Sequence, residues 1–365
     1  MIEVLANGLV RVPAFVDVHV HFREPGFSEK EDILSGARAA AAGGYRAVCM
    51  MPNTLPAIDG VAVLLEIERR VREAFSETGV RVFAVSAMTL SQAGREIVDF
   101  KAMDKAETCC RELTGHGVCG ISEDGKTLRD NALMERVCAE ALRLGLPIMD
   151  HAEPEAEIIR RDIELSRSTG ARFHIQHVSL AESVELLRRA KKEGLPVTCE
   201  AAPHHFALTE AETRPEKQGT NAKMSPPLRS EQDKLALIEG LVDGTIDCIA
   251  TDHAPHEEAA KALPFKEAAN GIVGLETAFP VAYTELVKSG ALTMKDLVRL
   301  MSERPAEIIG LPLAEGAYVE LDLDASWTIE PDAFYSKGRN TPFAGRRVYG
   351  RVVRTVLGGS EVYVW

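Results

Sequence analysis

Short apolar runs rich in β-branched residues alternate along this chain with longer stretches whose apolar positions recur every three to four residues. AFVDVHV (14–20) gives way to KEDILSGARAAAAGG (30–44), and YRAVCMM (45–51) to VAVLLEIERRVREAF (61–75). VRVFAVSAM (80–88), GVCGIS (117–122), LPIMD (146–150), ARFHIQHV (171–178), LPVTCEAA (195–202) and IDCIAT (246–251) follow. Helical patterns such as NALMERVCAEALRLG (131–145) and SVELLRRAKKEG (183–194) separate most of them. Continuous apolar strands alternating with helices are the mark of a parallel sheet buried on both faces. Eight such units predict an α/β fold of the closed (β/α)8, TIM-type barrel class over residues 13–312. The tail changes period. AYVELDLDASWTI (317–329) and RRVYGRVVRTVLGGSEVYVW (346–365) alternate as short antiparallel strands do, so residues 1–12 and 313–365 are predicted to form a small β appendage.

Length agrees with this organisation: 365 residues suit a barrel of about 250 plus an appendage. The formal charge of −13 argues against nucleic acid or an anionic membrane as partner, although a local cationic pocket could still take a small anion. Seven cysteines, an odd number with no CxxC pair, sit mostly in apolar runs and read as reduced core residues of a cytoplasmic protein. Adjacent Cys109 and Cys110 read as a helical pair rather than a redox device. No secretory signal is expected in MIEVLANGLVRVPAF, and no apolar stretch approaches the roughly 20 residues that span a bilayer.

The chemistry-bearing residues gather where the apolar runs stop. His19 and His21, two apart on an extended strand, share a side. His151, His177 and Asp252 follow the fifth, sixth and eighth runs. All of them would stand at the C-terminal mouth of the barrel, where such folds carry their active sites. Neutral imidazoles with carboxylates are metal ligands, best suited to zinc. A two-metal site needs a bridge, and Glu123-Asp124-Gly125-Lys126 after the fourth run offers candidates. Glu123 could equally be a solvated loop acid, and between Asp124 and a carboxylated Lys126 spacing does not decide.

Motifs then accumulate in a fixed order: DVHVHFREPG (17–26), MPNT (51–54), HAE (151–153), HVS (177–179), CEAAPHH (199–205) and TDHAPH (251–256). In this combination the chain resembles the dihydroorotases of the amidohydrolase superfamily over nearly its whole length. The resemblance implies two metals, zinc or another divalent cation such as manganese, cobalt or iron, held by His19, His21 and Asp252 on one side and His151 and His177 on the other. Bacterial relatives carry SDDG with the second acid bridging; SEDG here puts Asp124 in that place, with Lys126 the lesser alternative. Arg23, Asn53 and His256 would grip a ring carboxylate, the guanidinium by a bidentate contact. Asp252 would be catalytic, moving the proton between water and the ring nitrogen. KMSPPLR (223–229) departs from the family's KMNPPLR, so Ser225 stands where an asparagine usually touches the pyrimidine ring.

The implied activity is reversible cyclic-amide hydrolysis between L-dihydroorotate and N-carbamoyl-L-aspartate in pyrimidine biosynthesis. A homodimer, associating with aspartate transcarbamoylase, is implied as well. Hydantoinases and allantoinases share the barrel but generally lack the arginine after HxH, and inactive dihydroorotase-like scaffolds usually lose ligands. Among the remaining histidines, His174 is expected to pack, His253 to point away from the cavity and His116 to lie in solvent. His204 and His205 are expected either to support the site or to be structural, and the loop over 253–275 to be a glycine-hinged cover.

Overall fold

The computed structural model of the chain describes residues 2–106, 117–312 and 314–365. Cys109, Cys110 and His116, and Leu313 at the start of the tail, lie outside them. Two short strands open the chain, β1 (Glu3–Val4) and β2 (Val10–Pro13). All eight apolar runs then form strands: β3 (Phe15–Val20), β4 (Tyr45–Met50), β5 (Arg81–Ala87), β6 (Val118–Ser122), β7 (Ile148–Asp150), β8 (Phe173–Ile175), β9 (Val197–Ala201) and β10 (Cys248–Ile249). They pair in parallel in chain order, β3 at one edge and β10 at the other. The edges meet where the buried Asp17 carboxylate accepts the Thr251 amide and the His21 amide donates to His253 O at 2.8 Å, closing the barrel at its C-terminal mouth.

The barrel is full. Val18, Cys49, Met51, Val85, Cys119, Met149 and Cys248 form one buried interior cluster, as expected where parallel strands leave no room for water. Outside run α1 (Ile33–Ala42), α2 (Val61–Thr78), α3 (Asn131–Leu144), α4 (Glu155–Thr169), α5 (Ala181–Lys192) and α6 (Glu231–Asp243), each turning an apolar face inward. Local chemistry sets their ends. Asp32 and Ser35 make a reciprocal capping box at the start of α1, and Asp130 caps α3, which stops at Gly145 with φ of 67°. The tail adds β11 (Tyr318–Thr328), β12 (Arg347–Leu357) and β13 (Ser360–Val364), which join β1 and β2 in a five-stranded antiparallel sheet. No described helix is long and apolar enough to cross a membrane.

Candidate metal centre

Five strand ends deliver the candidate ligands to one point. Asp124 lies at the middle, buried, two residues past β6. Its Oδ1 stands 3.4 Å from His19 Nε2, 3.2 Å from His151 Nδ1 and 3.7 Å from His177 Nε2. Its Oδ2 stands 3.4 Å from His21 Nε2. Asp252 Oδ1 completes the first side, 3.0 Å from His21 Nε2 and 3.4 Å from His19 Nε2. The six residues proposed from sequence are thus together, with one carboxylate spanning both histidine pairs. Lys126 turns away, its ammonium donating to Gln92 O at 2.8 Å. Glu123 is neither solvated nor a ligand: it is buried and accepts from the Met88 and Thr89 amides and the Thr89 hydroxyl, anchoring the loop that presents Asp124.

The donor set fits a cation. His19 Nε2 is buried and has no hydrogen-bond partner, while its Nδ1 is engaged by Glu200 Oε1 at 2.6 Å. A carboxylate on one ring nitrogen fixes the tautomer and aims the other nitrogen's lone pair at the centre. Burial alone would discharge His19, yet the surrounding Asp252, Glu200 and Asp124 hold its imidazole well above the usual range. The same histidines outweigh burial at Asp124 and hold its carboxyl well below the carboxylate norm. Such mutual bias is what clustered metal ligands show without the ion's own charge. His177 and Asp252 also sit at φ of 33° and 48°, a region bulky side chains seldom adopt and one that concentrates at functional sites.

A cavity of about 360 Å³ opens over these ligands, and Arg23, Asn53, Ser225 and His256 line it. Arg23 Nη2 is 3.4 Å from His256 Nε2. Among the described residues the Arg23 guanidinium has no ion-pair partner, and its Nε is buried without a hydrogen bond. Burial lowers it to about 10, still cationic at neutral pH, while burial and then Arg23 itself push His256 down to about 3. Asn53 does more than line the wall: its Oδ1 is 2.9 Å from His21 Nδ1, so it also sets that ring.

One expectation is corrected. His174 does not merely pack; fully buried, it joins Glu200 Oε2 at 2.9 Å and Thr198 Oγ1 at 2.9 Å, backing the carboxylate that holds His19. The loop after β10 is tied at one point, where the buried Lys261 ammonium donates to the Lys223, Ala269 and Gly271 carbonyls. Glu200 itself and Asn270 on the cavity wall were not among the predicted site residues. An acid inside the apolar strand VTCEA was the available signal, since a buried carboxylate requires a partner. His253 does point away, its Nδ1 accepting the Gly274 amide at 3.1 Å, and it does not line the cavity.

A parallel barrel with imidazoles and carboxylates converging at its C-terminal mouth defines a metal-dependent amidohydrolase. The family model described as "Amidohydrolase family" matches residues 10–362, and the chain belongs to that family. Within it the chain falls among the dihydroorotases. That of Anaeromyxobacter dehalogenans (strain 2CP-C) is 43% identical, over 96% of this chain and 86% of the relative. That of Listeria monocytogenes is 41% identical, over 98% and 88%. Among solved structures, the L-hydantoinase of Arthrobacter aurescens superposes with a TM-score of 0.87 at 25% identity, over 99% of this chain and 87% of that one. The inactive dihydroorotase-like domain of a Chaetomium thermophilum CAD-like multifunctional protein shares the fold, with a TM-score of 0.71 at 19% identity over 97% and 94%.

Proposed function

We propose that this chain opens and closes the ring of L-dihydroorotate, interconverting it with N-carbamoyl-L-aspartate, with two zinc ions held by His19, His21, Asp124, His151, His177 and Asp252. The observation that carries the substrate is Arg23. A half-buried guanidinium with no ion-pair partner among the described residues, its Nε enclosed without a hydrogen bond, calls for an anion from outside the chain, because a desolvated charge left unpaired is costly. The ring carboxylate of dihydroorotate is such an anion, and His256, neutral beside Arg23, can share it.

Divalent cations bound by these ligands supply Lewis acidity and make water nucleophilic near neutral pH by lowering its pKa to about 7. The chain's own residues do the remainder. Arg23, His256 and Asn53 orient the ring so that its amide carbonyl faces the cluster, and Ser225 lies against the ring with a single hydroxyl. Asp252 takes the proton from the attacking water and delivers it to the departing ring nitrogen; in the synthetic direction it reverses both transfers. Glu200 and Asn53 hold the His19 and His21 rings in place. The resemblance extends the proposal to a cytoplasmic homodimer that associates with aspartate transcarbamoylase, which co-sedimentation of the two purified proteins checks.

The decisive variant is Asp252→Asn, which keeps an oxygen ligand and removes the proton carrier. Turnover of dihydroorotate is expected to fall at least 10³-fold while metal content by atomic emission stays near the parent's. General acid–base catalysis alone contributes about 10²–10⁴. Full activity would remove Asp252 from proton transfer. Ring-opening assays on dihydroorotate, hydantoin and allantoin test the substrate; turnover of hydantoin without dihydroorotate would replace this reading by a hydantoinase.

A further inference from the structure

The segment leading into β12, far in sequence from the ligands, backs the wall that faces the substrate. Asn340 is 3% exposed, and every polar group of its side chain is engaged with the loop after β10. Its Oδ1 accepts the His256 amide at 3.0 Å. Its Nδ2 donates to Ala254 O and to Gly271 O, each at 2.9 Å. Its own carbonyl accepts the Val273 amide at 3.0 Å. Four hydrogen bonds from one residue thus tie both arms of that loop, 254–256 and 271–273, to a single point. The neighbouring backbone must come close for this: a Cβ on Gly338 would stand 2.8 Å from Asn340 Oδ1 and 2.8 Å from Pro255 Cβ.

The same segment braces the other half of the anion grip. The Ser336 hydroxyl donates to Glu31, and the Lys337 amide donates to Glu31 Oε1 at 3.2 Å. Glu31 O in turn accepts the Arg23 amide at 3.2 Å. Arg23 and His256 face each other at 3.4 Å, each held through its backbone by a residue in contact with 336–340. Displacing either by an ångström would spoil a bidentate carboxylate contact, since positioning at that precision governs rate.

We propose that Asn340 is a positioning residue for substrate selectivity: it fixes His256 against Arg23 so that the pair accepts the ring carboxylate. Asn340 touches neither a ligand of the metal cluster nor the cavity, so its effect falls on recognition of the anion rather than on proton transfer. This inference rests on the substrate reading above.

The test uses the whole metal-loaded chain and compares L-dihydroorotate with its methyl ester, which keeps the ring amide and lacks the anion. In Asn340→Ala, KM for dihydroorotate is expected to rise at least tenfold with kcat within about threefold. The kcat/KM ratio of acid to ester is expected to fall at least tenfold, with metal content unchanged. Asn340→Asp keeps the size and the oxygen facing the His256 amide but sets a carboxyl oxygen against the Ala254 and Gly271 carbonyls, and it is expected to lower the ratio as well; urea unfolding of both variants separates a lowered ratio from a loss of fold. A merely structural role lowers turnover of both compounds together; an unchanged ratio in either variant, in a parent that prefers the acid, overturns the inference alone. A parent with no preference for the acid overturns the substrate reading and the inference with it.

Discussion

At the scale of single residues, the centre turns on which side chain spans the two histidine pairs. Asp124 reaches both pairs, Oδ1 facing His19, His151 and His177 and Oδ2 facing His21, whereas the Lys126 ammonium is occupied at Gln92 O. Lys126→Met is therefore expected to keep the parent's metal content and kcat within a few-fold, while Asp124→Ala is expected to lose most bound metal. Metal analysis after dialysis, paired with the ring-opening assay, reads both; metal lost in the lysine variant but kept in the aspartate variant would invert the assignment. Sequence made the histidines legible because an imidazole ending an apolar strand has few structural uses. It left Asp124 and Lys126 open because two loop positions two apart carry no directional information. Glu200 and Asn340 were less visible still. Each matters through partners 181 and 84 residues away, respectively, and single-residue chemistry does not announce such pairings.

At the scale of elements, the eight strands were readable for a physical reason: a strand buried on both faces must be apolar at every position. What closes the cylinder was not. The edge strands meet through the Thr251 amide on the Asp17 carboxylate and the His21 amide on His253 O, neither of which periodicity encodes. Helix α1 shows how closely an element is fitted to the site. A Cβ added at Gly36 would lie 2.6 Å from Phe22 Cζ and closer to the rest of that ring edge, and Phe22 follows His21 directly. Alanine would gain up to about 1 kcal/mol of helix propensity over glycine, but overpacking costs about 1–3 kcal/mol. With Phe22 only 1% exposed and its ring set edge-on to His253 at 6.4 Å, there is little room for relief, and overpacking wins. Gly36→Ala is expected to lower the urea midpoint and weaken metal binding together. A variant as stable as the parent would show that the ring can move aside.

At the scale of the whole molecule, stability in acid is set by opposing contributions. Lowering the pH from 7 toward the isoelectric point of about 5.4 relieves the self-repulsion of a chain carrying a formal −13, which favours the folded state. Buried histidines act the other way. His205 is enclosed, with Nε2 donating to Pro226 O at 3.0 Å; burial lowers its imidazole to about 4, the Pro226 carbonyl opposing and His177 adding to the shift. An unfolded imidazole titrates near 6.5. Between these values the unfolded chain binds a proton that the folded chain refuses, so this group's contribution is complete above about 6.5 and is lost as pH falls through about 4. At about 1.36 kcal/mol per pH unit the interval amounts to about 3 kcal/mol, a large share of the 5–15 kcal/mol that typically separates folded from unfolded domains. The measurement is urea unfolding of metal-stripped parent and His205→Gln from pH 7.5 to 4, the glutamine amide keeping a donor for Pro226 O. The global charge term is common to both proteins and cancels in the difference, as does ligand protonation apart from the coupling of His205 to His177 and Asp252. The parent is therefore expected to lose up to about 3 kcal/mol more than the variant across the window, and parallel curves would exclude His205 as a source of acid sensitivity.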